Sequence, residues 1–307
     1  MRSLSCLFLV LASPLLCLAQ QDAGSPYTGS LVCKSCHPDV WAGFYKNPHY
    51  RSIASGKETP ENTGCESCHG PGKAHVEARG GKTTIPRAFS LLSAEKTLDA
   101  CLRCHNQTLS RANIRRSSHT LNGVVCTGCH SIHKNQTPKF LLARRQTDLC
   151  YGCHANVRAQ FSMPFKHRVN EGFMNCTDCH NPHGSFQPPW RMADRPRMNE
   201  QAPANEEPCL KCHSEKRGPF IYEHAVVRVD GCETCHSPHG SMNSRLLRRP
   251  VVSTLCVECH NGTGRGREGA GVLMQSGSHN MADPRYRNCT TCHVRIHGSN
   301  SDQFFLR

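Results

Sequence analysis

The sequence predicts a chain of mainly short α-helices and loops, with little or no sheet, whose interior is not built from apolar side chains. Three observations support this prediction. Only 37% of the 307 residues are hydrophobic, 6% are aromatic, and mean hydropathy is −0.53. The chain also contains 22 cysteines and 20 histidines, and these recur at regular spacing. With so few large apolar side chains, their burial cannot offset the ordering entropy, so another group must form the core.

Twenty of the cysteines fall in ten copies of the motif Cys-x-x-Cys-His. This is the attachment signature of c-type haem, in which two thiols bind one porphyrin edge and the adjacent histidine lies under the iron. A zinc site does not explain the histidine after every pair, and a disulfide framework does not explain ten identical gaps. We therefore expect ten covalently attached haems, held by Cys33 and Cys36, Cys65 and Cys68, Cys101 and Cys104, Cys126 and Cys129, Cys150 and Cys153, Cys176 and Cys179, Cys209 and Cys212, Cys232 and Cys235, Cys256 and Cys259, and Cys289 and Cys292.

The histidine count predicts the axial ligands of the ten irons. Ten histidines belong to the motifs and are the expected proximal ligands: His37, His69, His105, His130, His154, His180, His213, His236, His260 and His293. Ten others remain, one for each iron, as the expected distal ligands: His49, His75, His119, His133, His167, His183, His224, His239, His279 and His297. The alternative is that some of these histidines lie on the surface. The sixth coordination position of some irons would then be filled by lysine or by one of the eight methionines, or would stay empty.

The motifs are arranged in five dihaem repeats, which begin at Cys33, Cys101, Cys150, Cys209 and Cys256. Each repeat has a first motif, a mid-repeat histidine, a second motif, and a trailing histidine three to six residues beyond the second motif histidine. Such repetition indicates a modular array in which each unit packs mainly on its neighbours. The sequence predicts an elongated protein wrapped around a chain of ten haems.

Chain length restricts which histidine can serve which iron. Two axial imidazoles on one iron place their Cα atoms about 12 Å or more apart, whereas three extended residues span at most about 10.8 Å. His133, His183 and His239 follow a motif histidine by three residues, so each must reach a neighbouring haem. We expect the trailing histidine to serve the first haem of its own repeat and the mid-repeat histidine to serve the second.

Local signals predict only short helices. Ser93, Thr147 and Ser253 precede short stretches that run into a motif and are expected N-caps. Pro38 is at a first-turn position and predicts a helix through Trp41 to Lys46. Residues rich in proline and glycine predict loops at 187–207 and 262–277.

The first 19 residues predict a secretory signal peptide. Arg2 precedes an apolar run from Leu4 to Leu18 that is too short to span a bilayer, and Ala19 is a suitable cleavage residue. Lipid attachment at Cys17 is the less favoured alternative because Leu16 lies where a small residue is required. We expect an exported mature chain, residues 20–307.

The formal net charge of +14 does not by itself indicate a nucleic-acid partner. Removal of Arg2 with the signal peptide lowers the charge by one, the haem propionates add about −20, and ten ferric irons add about +10, which gives about +3 oxidised and −7 reduced. We expect no nucleic-acid binding. Many basic residues are expected propionate partners or solvated surface, including Arg115-Arg116, Arg144-Arg145 and Arg248-Arg249.

Bis-histidine ligation leaves no open position on the iron, so a small substrate cannot bind without displacing a ligand. No attachment motif is altered, and there is no shortage of histidine that would mark one iron as catalytic. The sequence therefore favours electron transfer and no enzymatic activity.

Several segments resemble the MtrA/DmsE-type periplasmic decahaem cytochromes. The closest are Cys209-Leu-Lys-Cys-His-Ser-Glu-Lys-Arg-Gly-Pro and Cys232-Glu-Thr-Cys-His-Ser-Pro-His-Gly-Ser, together with Cys65-Glu-Ser-Cys-His-Gly-Pro-Gly and His297-Gly-Ser-Asn. The likeness covers nearly the whole mature chain. It implies two pentahaem halves, residues 20–160 and 161–307, and axial histidines at the ten distal positions given above.

The resemblance also implies a role and a location. The family members lie in the periplasm in association with the outer membrane, inserted into an outer-membrane β-barrel protein. They pass electrons between periplasmic or inner-membrane cytochrome donors and an extracellular multihaem cytochrome, reductase or other acceptor. The alternative for this chain is a soluble periplasmic multihaem electron carrier or a haem reductase subunit.

Overall fold

The computed structural model describes residues 24–106, 111, 113–134, 140–184, 208–260, 279 and 283–306. All 20 motif cysteines and all 20 histidines are within these ranges. The predicted signal peptide and the predicted loops at 187–207 and 262–277 lie outside the described residues. Within the described residues, no helix is both long enough and apolar enough to cross a membrane.

The described chain forms two compact units. The first comprises the described residues up to Ala42 together with His49–Leu91, and the second comprises Gly43–Pro48 and the described residues from Leu92 onward. The first unit contains both motifs of the first repeat, and the second unit contains the other four repeats. The pentahaem halves implied by the resemblance stay a prediction.

Five short α-helices lie within residues 24–91, all of which the structure describes. Pro38 begins the second of them, as predicted, because its fixed φ suits a first helical turn and its missing N–H is not needed there. The helices are α1 (Ser30–Lys34), α2 (Pro38–Tyr45), α3 (Tyr50–Ala54), α4 (Gly64–His69) and α5 (Lys73–Glu77).

A buried carboxylate holds the first unit together. The Glu66 side chain is only 2% exposed. It accepts backbone N–H bonds from Thr28 at 3.0 Å, Gly29 at 2.8 Å and Gly72 at 2.7 Å. Because Glu66 lies inside the Cys65-x-x-Cys68 segment, these bonds fix the distant residues Thr28 and Gly29, and Gly72 just before α5, against the haem-attachment turn.

The described residues of the second unit contain seven complete α-helices, all of at most nine residues. Ser93 caps the longest as predicted, since its side chain accepts a hydrogen bond from the Lys96 N–H at 3.2 Å. The described helices are α6 (Ala94–Leu102), α7 (Ser118–Leu121), α8 (Cys126–Cys129), α9 (Gln146–Tyr151), α10 (Ala155–Gln160), α11 (Ala225–Val229) and α12 (Val252–Val257).

The other two predicted N-caps are wrong. Helix α9 begins at Gln146 and α12 begins at Val252, so Thr147 and Ser253 lie inside the first turn and not before it. In both helices the N-cap position is taken by a residue without a side-chain cap bond. A hydroxyl residue near a helix start is a frequent signal, but it does not fix the first residue of the helix.

The remaining regular structure is scant, which confirms the fold class. Single 3-10 turns connect the helices, and three of them contain the second motifs of the last three repeats: Cys176–Asp178, Cys232–Thr234 and Cys289–Thr291. The described residues contain one antiparallel pair of strands, β1 (Tyr222–Glu223) and β2 (Gly298–Ser299). Gly298 has φ of 146°, and a Cβ there would overlap the Phe220 ring.

Apolar side chains form only a sparse core. Within the described residues the buried apolar side chains are Phe44, Leu98, Ile114, Leu141, Phe161, Val169 and Leu210. Seven such residues cannot stabilise a chain of this length by themselves, because burying one contributes only about 1.5–3 kcal/mol. This agrees with an interior that depends on another group.

The protein produced without haem attachment is therefore expected to be disordered. Far-ultraviolet circular dichroism should show little helix and no cooperative thermal transition, whereas the haem-loaded protein should show both. A haem-free chain with native helix content and a cooperative transition would contradict this expectation.

Glu66→Ala is expected to destabilise the first unit by about 3 kcal/mol or more, because three buried N–H groups lose a charged acceptor. Hydrogen exchange at the amides of Thr28, Gly29 and Gly72 should accelerate in the haem-loaded protein. Glu77→Ala is the matched control, since this exposed residue should change stability by less than about 0.5 kcal/mol. Unchanged protection at the three amides would show that the carboxylate does not hold these loops.

Candidate haem-binding sites

Each Cys-x-x-Cys-His motif forms a single helical turn. In nine motifs the N–H of the histidine donates to the carbonyl of the first cysteine at 2.8–3.1 Å, and in the remaining one Cys65 and His69 lie within α4. Residues three and four positions apart share one face of a helix. The turn therefore presents two thiols and one imidazole in the same direction, as covalent attachment and proximal ligation require.

The structure brings a motif histidine and a lone histidine together in eight pairs. Their ring centroids are 5.9–6.4 Å apart. With the motif residue first, the pairs are His37 with His75, His130 with His183, His154 with His119, His180 with His239, His213 with His167, His236 with His297, His260 with His224 and His293 with His279.

The ring separation fits one metal ion between two imidazoles. A metal–nitrogen bond of about 2.0–2.1 Å on each side, with each nitrogen about 1.1 Å from its ring centre, gives a centroid separation of about 6.3 Å. Direct packing of two rings does not require this distance, and contacts as short as about 4.5 Å are usual for stacked rings. The residues present therefore fit a haem iron with an imidazole on each face.

Mid-repeat histidines pair with the repeat that follows. His119, His167 and His224 of the second, third and fourth repeats lie opposite the first motif histidine of the next repeat, at 6.1, 6.4 and 6.2 Å. The expectation that each serves the second haem of its own repeat is wrong for these three. The chain between a mid-repeat histidine and its own second motif folds so that the ring points across the junction.

Trailing histidines pair in the opposite direction. His183, His239 and His297 lie opposite the second motif histidine of the preceding repeat, at 6.2, 5.9 and 6.2 Å. The expectation that they serve the first haem of their own repeat is wrong. The prediction that a histidine cannot pair with the motif histidine three residues before it is confirmed for His183 and His239. Among the second to fifth repeats, neighbours thus exchange one histidine in each direction.

Two histidines pair within their own repeat, as expected from the sequence. His75 of the first repeat lies 6.3 Å from His37, the first motif histidine, with the rings 14° from parallel. His279 of the last repeat lies 6.2 Å from His293, the second motif histidine. These are the first and last repeats of the sequence.

The other four histidines have defined places but stay predicted ligands. His69 ends α4, its Nδ1 is 3.0 Å from the Arg87 carbonyl and its ring meets Phe89 edge-on. His49 precedes α3. His105 follows α6 and its carbonyl accepts from Arg111. His133 follows the second motif of its repeat, and its carbonyl lies against Gly43.

A repeated hydrogen bond connects the exchanged ligands. Three mid-repeat histidines pair with the next repeat, and the trailing histidine of that next repeat pairs in the opposite direction. In each case the Nδ1 atom of the mid-repeat histidine lies within hydrogen-bonding distance of the backbone carbonyl of the residue just before that trailing histidine. The three contacts are His119 to Pro182 at 3.0 Å, His167 to Pro238 at 2.7 Å and His224 to Ile296 at 2.9 Å. Donation from Nδ1 leaves Nε2 as the metal-binding nitrogen and fixes the ring orientation.

Second-motif histidines are oriented by the loop that follows them. The Nδ1 atoms of His130, His236 and His293 lie 2.7, 2.8 and 2.5 Å from backbone carbonyls 9–11 residues later, those of Phe140, Arg245 and Phe304. Two distal histidines use side chains as acceptors. His75 contacts the Thr84 hydroxyl at 2.9 Å and the Gly81 carbonyl at 3.1 Å, and His239 contacts Gln160 Oε1 at 2.9 Å.

Burial keeps several of these imidazoles in the form that binds metal, since an iron ligand must have an unprotonated nitrogen. Burial lowers the pKa of His183, His224 and His239 below the usual value. Burial, followed by the nearby Lys216 ammonium, lowers the pKa of His297 to about 4. A neutral ring at these positions is therefore available at physiological pH.

The thiols of the two motifs in one repeat lie side by side. In three repeats the first cysteines of the two motifs form a hydrogen bond with each other. This bond lowers the pKa of the cysteine in the second motif to about 7, and the pairs are Cys65 with Cys33, Cys126 with Cys101, and Cys176 with Cys150. In the last repeat, burial and then Cys289 raise the pKa of Cys256 to about 12. The attachment points of these motif pairs are thus adjacent.

Thiols also approach each other across the junctions of the second unit. Burial raises the pKa of Cys129, Cys179 and Cys235. The second largest cause of the raised pKa is, for each of them, the charge of a nearby cysteine thiolate from the following repeat. These neighbours are Cys153 for Cys129, Cys209 for Cys179 and Cys259 for Cys235. Motifs that are consecutive in sequence are therefore neighbours in space at these junctions.

Two of the arginines predicted as propionate partners bind acidic side chains. Arg115 is 2.7 Å from Asp99, and Arg249 is 2.5 Å from Glu258. Both ion pairs are largely exposed, so each contributes only about 0–1 kcal/mol. Propionate binding by the arginine pairs stays a prediction.

Family comparisons agree with this site. The model of the doubled CXXCH motif matches residues 119–159 and 224–265, that of cytochrome c7 and related cytochrome c matches residues 159–237, and that of cytochrome c554 and c-prime matches residues 75–131. Each match contains motifs whose thiols and imidazole share one helical turn. The protein is a multihaem c-type cytochrome, which binds haem covalently through these motifs.

Similarity to known proteins identifies the family. The multihaem cytochrome MtrA of Shewanella baltica is 34% identical over 277 residues, which cover 89% of this chain and 79% of that protein. The high-molecular-weight cytochrome c of Nitratidesulfovibrio vulgaris is 25% identical over 308 residues, 88% of this chain but 47% of that protein. This chain belongs to the MtrA-type multihaem cytochromes, which confirms the resemblance, and this membership is consistent with electron transfer.

Sequence reasoning missed the residues that orient the histidines. The nearly identical segments around His183 and His239 contained one signal, since each places a proline immediately before the histidine, and these prolines supply the carbonyls described above. Gln160 had no such signal, because it lies 79 positions along the chain from His239, and nothing in the residues between His75 and Thr84 marks Thr84 as the contact of that ring.

The exchange of ligands can be tested with His183→Ala. We expect this substitution to open the iron of the haem at Cys126 and Cys129, whose motif histidine pairs with His183, and to create a single haem that binds carbon monoxide. The absorbance change on carbon monoxide addition to the reduced protein measures this. The unsubstituted chain is the control and should show no rapid binding.

Double variants identify which haem is opened. In a Cys126→Ala/Cys129→Ala chain, His183→Ala should add no carbon-monoxide-binding haem, whereas in a Cys150→Ala/Cys153→Ala chain it should still add one. The reverse pattern would mean that His183 serves the first haem of its own repeat.

Proposed function

We propose that this protein is a decahaem c-type cytochrome that conducts electrons from the periplasm, through an outer-membrane β-barrel, to an extracellular acceptor or reductase. Each of the ten motifs holds one haem, and each iron has histidine on both faces. When bound, haem supplies the one-electron exchange between ferric and ferrous iron. The polypeptide attaches the haems, orients their ligands and sets their order.

The observation that carries this proposal is the neighbour relation of the attachment sites. Within repeats, the first cysteines of both motifs interact, as in Cys101 with Cys126 and Cys150 with Cys176. Across junctions, Cys129 interacts with Cys153. These contacts support a file of haems in the same order as the motifs in the sequence, and a file of closely spaced centres is what an electron conduit requires.

Paired imidazoles support the absence of a catalytic iron. Eight ring pairs have a separation suited to two axial ligands on one metal ion. An iron with both faces occupied exchanges electrons without binding a substrate. Nitrogen ligands on both faces also favour lower reduction potentials than histidine with methionine, which suits respiratory electrons of modest energy.

Family membership supports the location and partners. We propose that the mature chain is periplasmic and bound at the outer membrane. It receives electrons from periplasmic or inner-membrane cytochromes and passes them to an extracellular multihaem cytochrome or reductase through the barrel protein that holds it. Flow in the reverse direction uses the same file of haems.

Reconstitution tests this function. The full chain with its native signal peptide is purified from outer membranes with any associated barrel protein and inserted in liposomes that enclose an oxidised dye. We expect electrons from an external reductant to reduce the enclosed dye. A Cys176→Ala/Cys179→Ala chain in the same barrel is the matched control, and the rate should fall to that of the barrel alone because one haem within the file is missing.

The other outcomes distinguish the alternatives. Protein that is recovered free in the periplasm without a barrel partner would indicate a soluble carrier. Rapid binding of nitrite or carbon monoxide to the unsubstituted protein at neutral pH would indicate a reductase, since it requires a replaceable ligand. Either result would contradict the conduit.

A further inference from the structure

The distal histidine His239 has a side-chain acceptor at its Nδ1 atom. This atom lies 2.9 Å from Gln160 Oε1. The Nδ1 atoms of the distal histidines His119, His167 and His224 instead meet backbone carbonyls, and that of His75 meets a carbonyl and the Thr84 hydroxyl. At His239 the acceptor is therefore a side chain alone, which a substitution can change without altering the backbone.

Gln160 is held firmly in place. It is the last residue of α10, and its carbonyl accepts the Met163 N–H at 3.1 Å. The same carbonyl lies against Gly240, where a Cβ would overlap it. The end of α10 therefore packs directly on the residue after His239, so the amide side chain reaches the ring from a fixed origin.

The next residue fixes the ring itself. Phe161 is buried, at 7% exposure, and its ring centroid is 5.1 Å from that of His239. The Phe161 carbonyl accepts from the Asn170 side-chain amide at 3.1 Å. Two consecutive residues thus contact the imidazole, Gln160 through a hydrogen bond and Phe161 through a tilted ring contact with an interplanar angle of 46°.

The contact lies behind the ligand of one particular haem. His239 pairs with His180 at 5.9 Å, so it is the distal partner for the motif of Cys176 and Cys179. Gln160 belongs to the third repeat, which also provides this motif, whereas His239 comes from the fourth. The Gln160 amide therefore contacts a histidine from the fourth repeat that pairs with a motif of the third repeat, to which Gln160 itself belongs.

We propose that Gln160 is a positioning residue that sets the reduction potential of the haem at Cys176 and Cys179 through its hydrogen bond to His239. This inference rests on the proposed function, because it requires His239 to be an axial ligand. A stronger acceptor at Nδ1 makes the imidazole a better donor to iron and stabilises the ferric state, while removal of the acceptor does the opposite. The amide is a neutral acceptor and gives an intermediate potential.

Two substitutions should shift this potential in opposite directions. Gln160→Glu replaces the amide oxygen by a carboxylate, which forms a stronger, charge-assisted bond at neutral pH, and it should lower the potential of one haem. Gln160→Leu keeps much of the side-chain volume but accepts no bond, and it should raise the potential of the same haem. Loss of packing alone would not produce shifts of opposite sign.

The measurement is a potentiometric titration of the haem-loaded full chain, followed by visible absorbance and by electron paramagnetic resonance. We expect one haem's share of the absorbance change to move to lower potential in Gln160→Glu and to higher potential in Gln160→Leu. Ser162→Ala is the matched control, because it removes a hydrogen bond from Ser162 Oγ to the Arg158 carbonyl at the same helix end without touching His239. The control should titrate like the unsubstituted protein.

The outcomes separate this inference from the proposed function. Spectra of six-coordinate low-spin haem in all variants, with no shift or with shifts of the same sign, would overturn the role of Gln160 and leave the conduit intact. A five-coordinate haem at Cys176 and Cys179 in the unsubstituted protein would instead contradict bis-histidine ligation. If Gln160→Leu fails to accumulate, the shift in Gln160→Glu alone decides, since that variant keeps an acceptor of nearly the same shape.

Discussion

The length of the polypeptide between two histidines governs how neighbouring repeats of the second unit are connected. A histidine three residues after a motif histidine is too near to reach the other face of the same iron, since a span of about 10.8 Å is the most that three residues allow. It must therefore pair elsewhere. His183 and His239 accordingly lie opposite motif histidines of the preceding repeat. His297, which follows its motif histidine by four residues, does the same, and His119, His167 and His224 lie opposite motif histidines of the next repeat. These repeats are joined by their histidines.

This exchange explains how such short helices suffice. Helices of four to nine residues are unstable alone, and the described core contains few apolar side chains. At each junction within the second unit, however, two histidines cross in opposite directions, and one bonds to the carbonyl before the other, as His167 does to Pro238. The same peptide thus positions two histidines that pair in opposite directions along the chain. Covalent haem attachment and these crossed histidine pairs take the place of extensive side-chain packing in ordering the chain.

The sequence alone predicted the parts of this arrangement that are local. A Cys-x-x-Cys-His motif needs only one helical turn, so the attachment sites and the scarcity of sheet follow from spacing and composition. The partner of a given histidine is not local. The segment around His239 resembles that around His183, but nothing within either segment states in which direction along the array it pairs. Contacts such as Gln160 with His239 join residues 79 positions apart, and no pattern within a repeat predicts them.

The first and last repeats show why the direction of exchange matters. A trailing histidine normally pairs with the preceding repeat and a mid-repeat histidine with the following one. In the first repeat the trailing residue His75 lies opposite its own first motif histidine. In the fifth repeat the mid-repeat residue His279 lies opposite its own second motif histidine. At these two histidines a partner within the repeat replaces a partner across a junction.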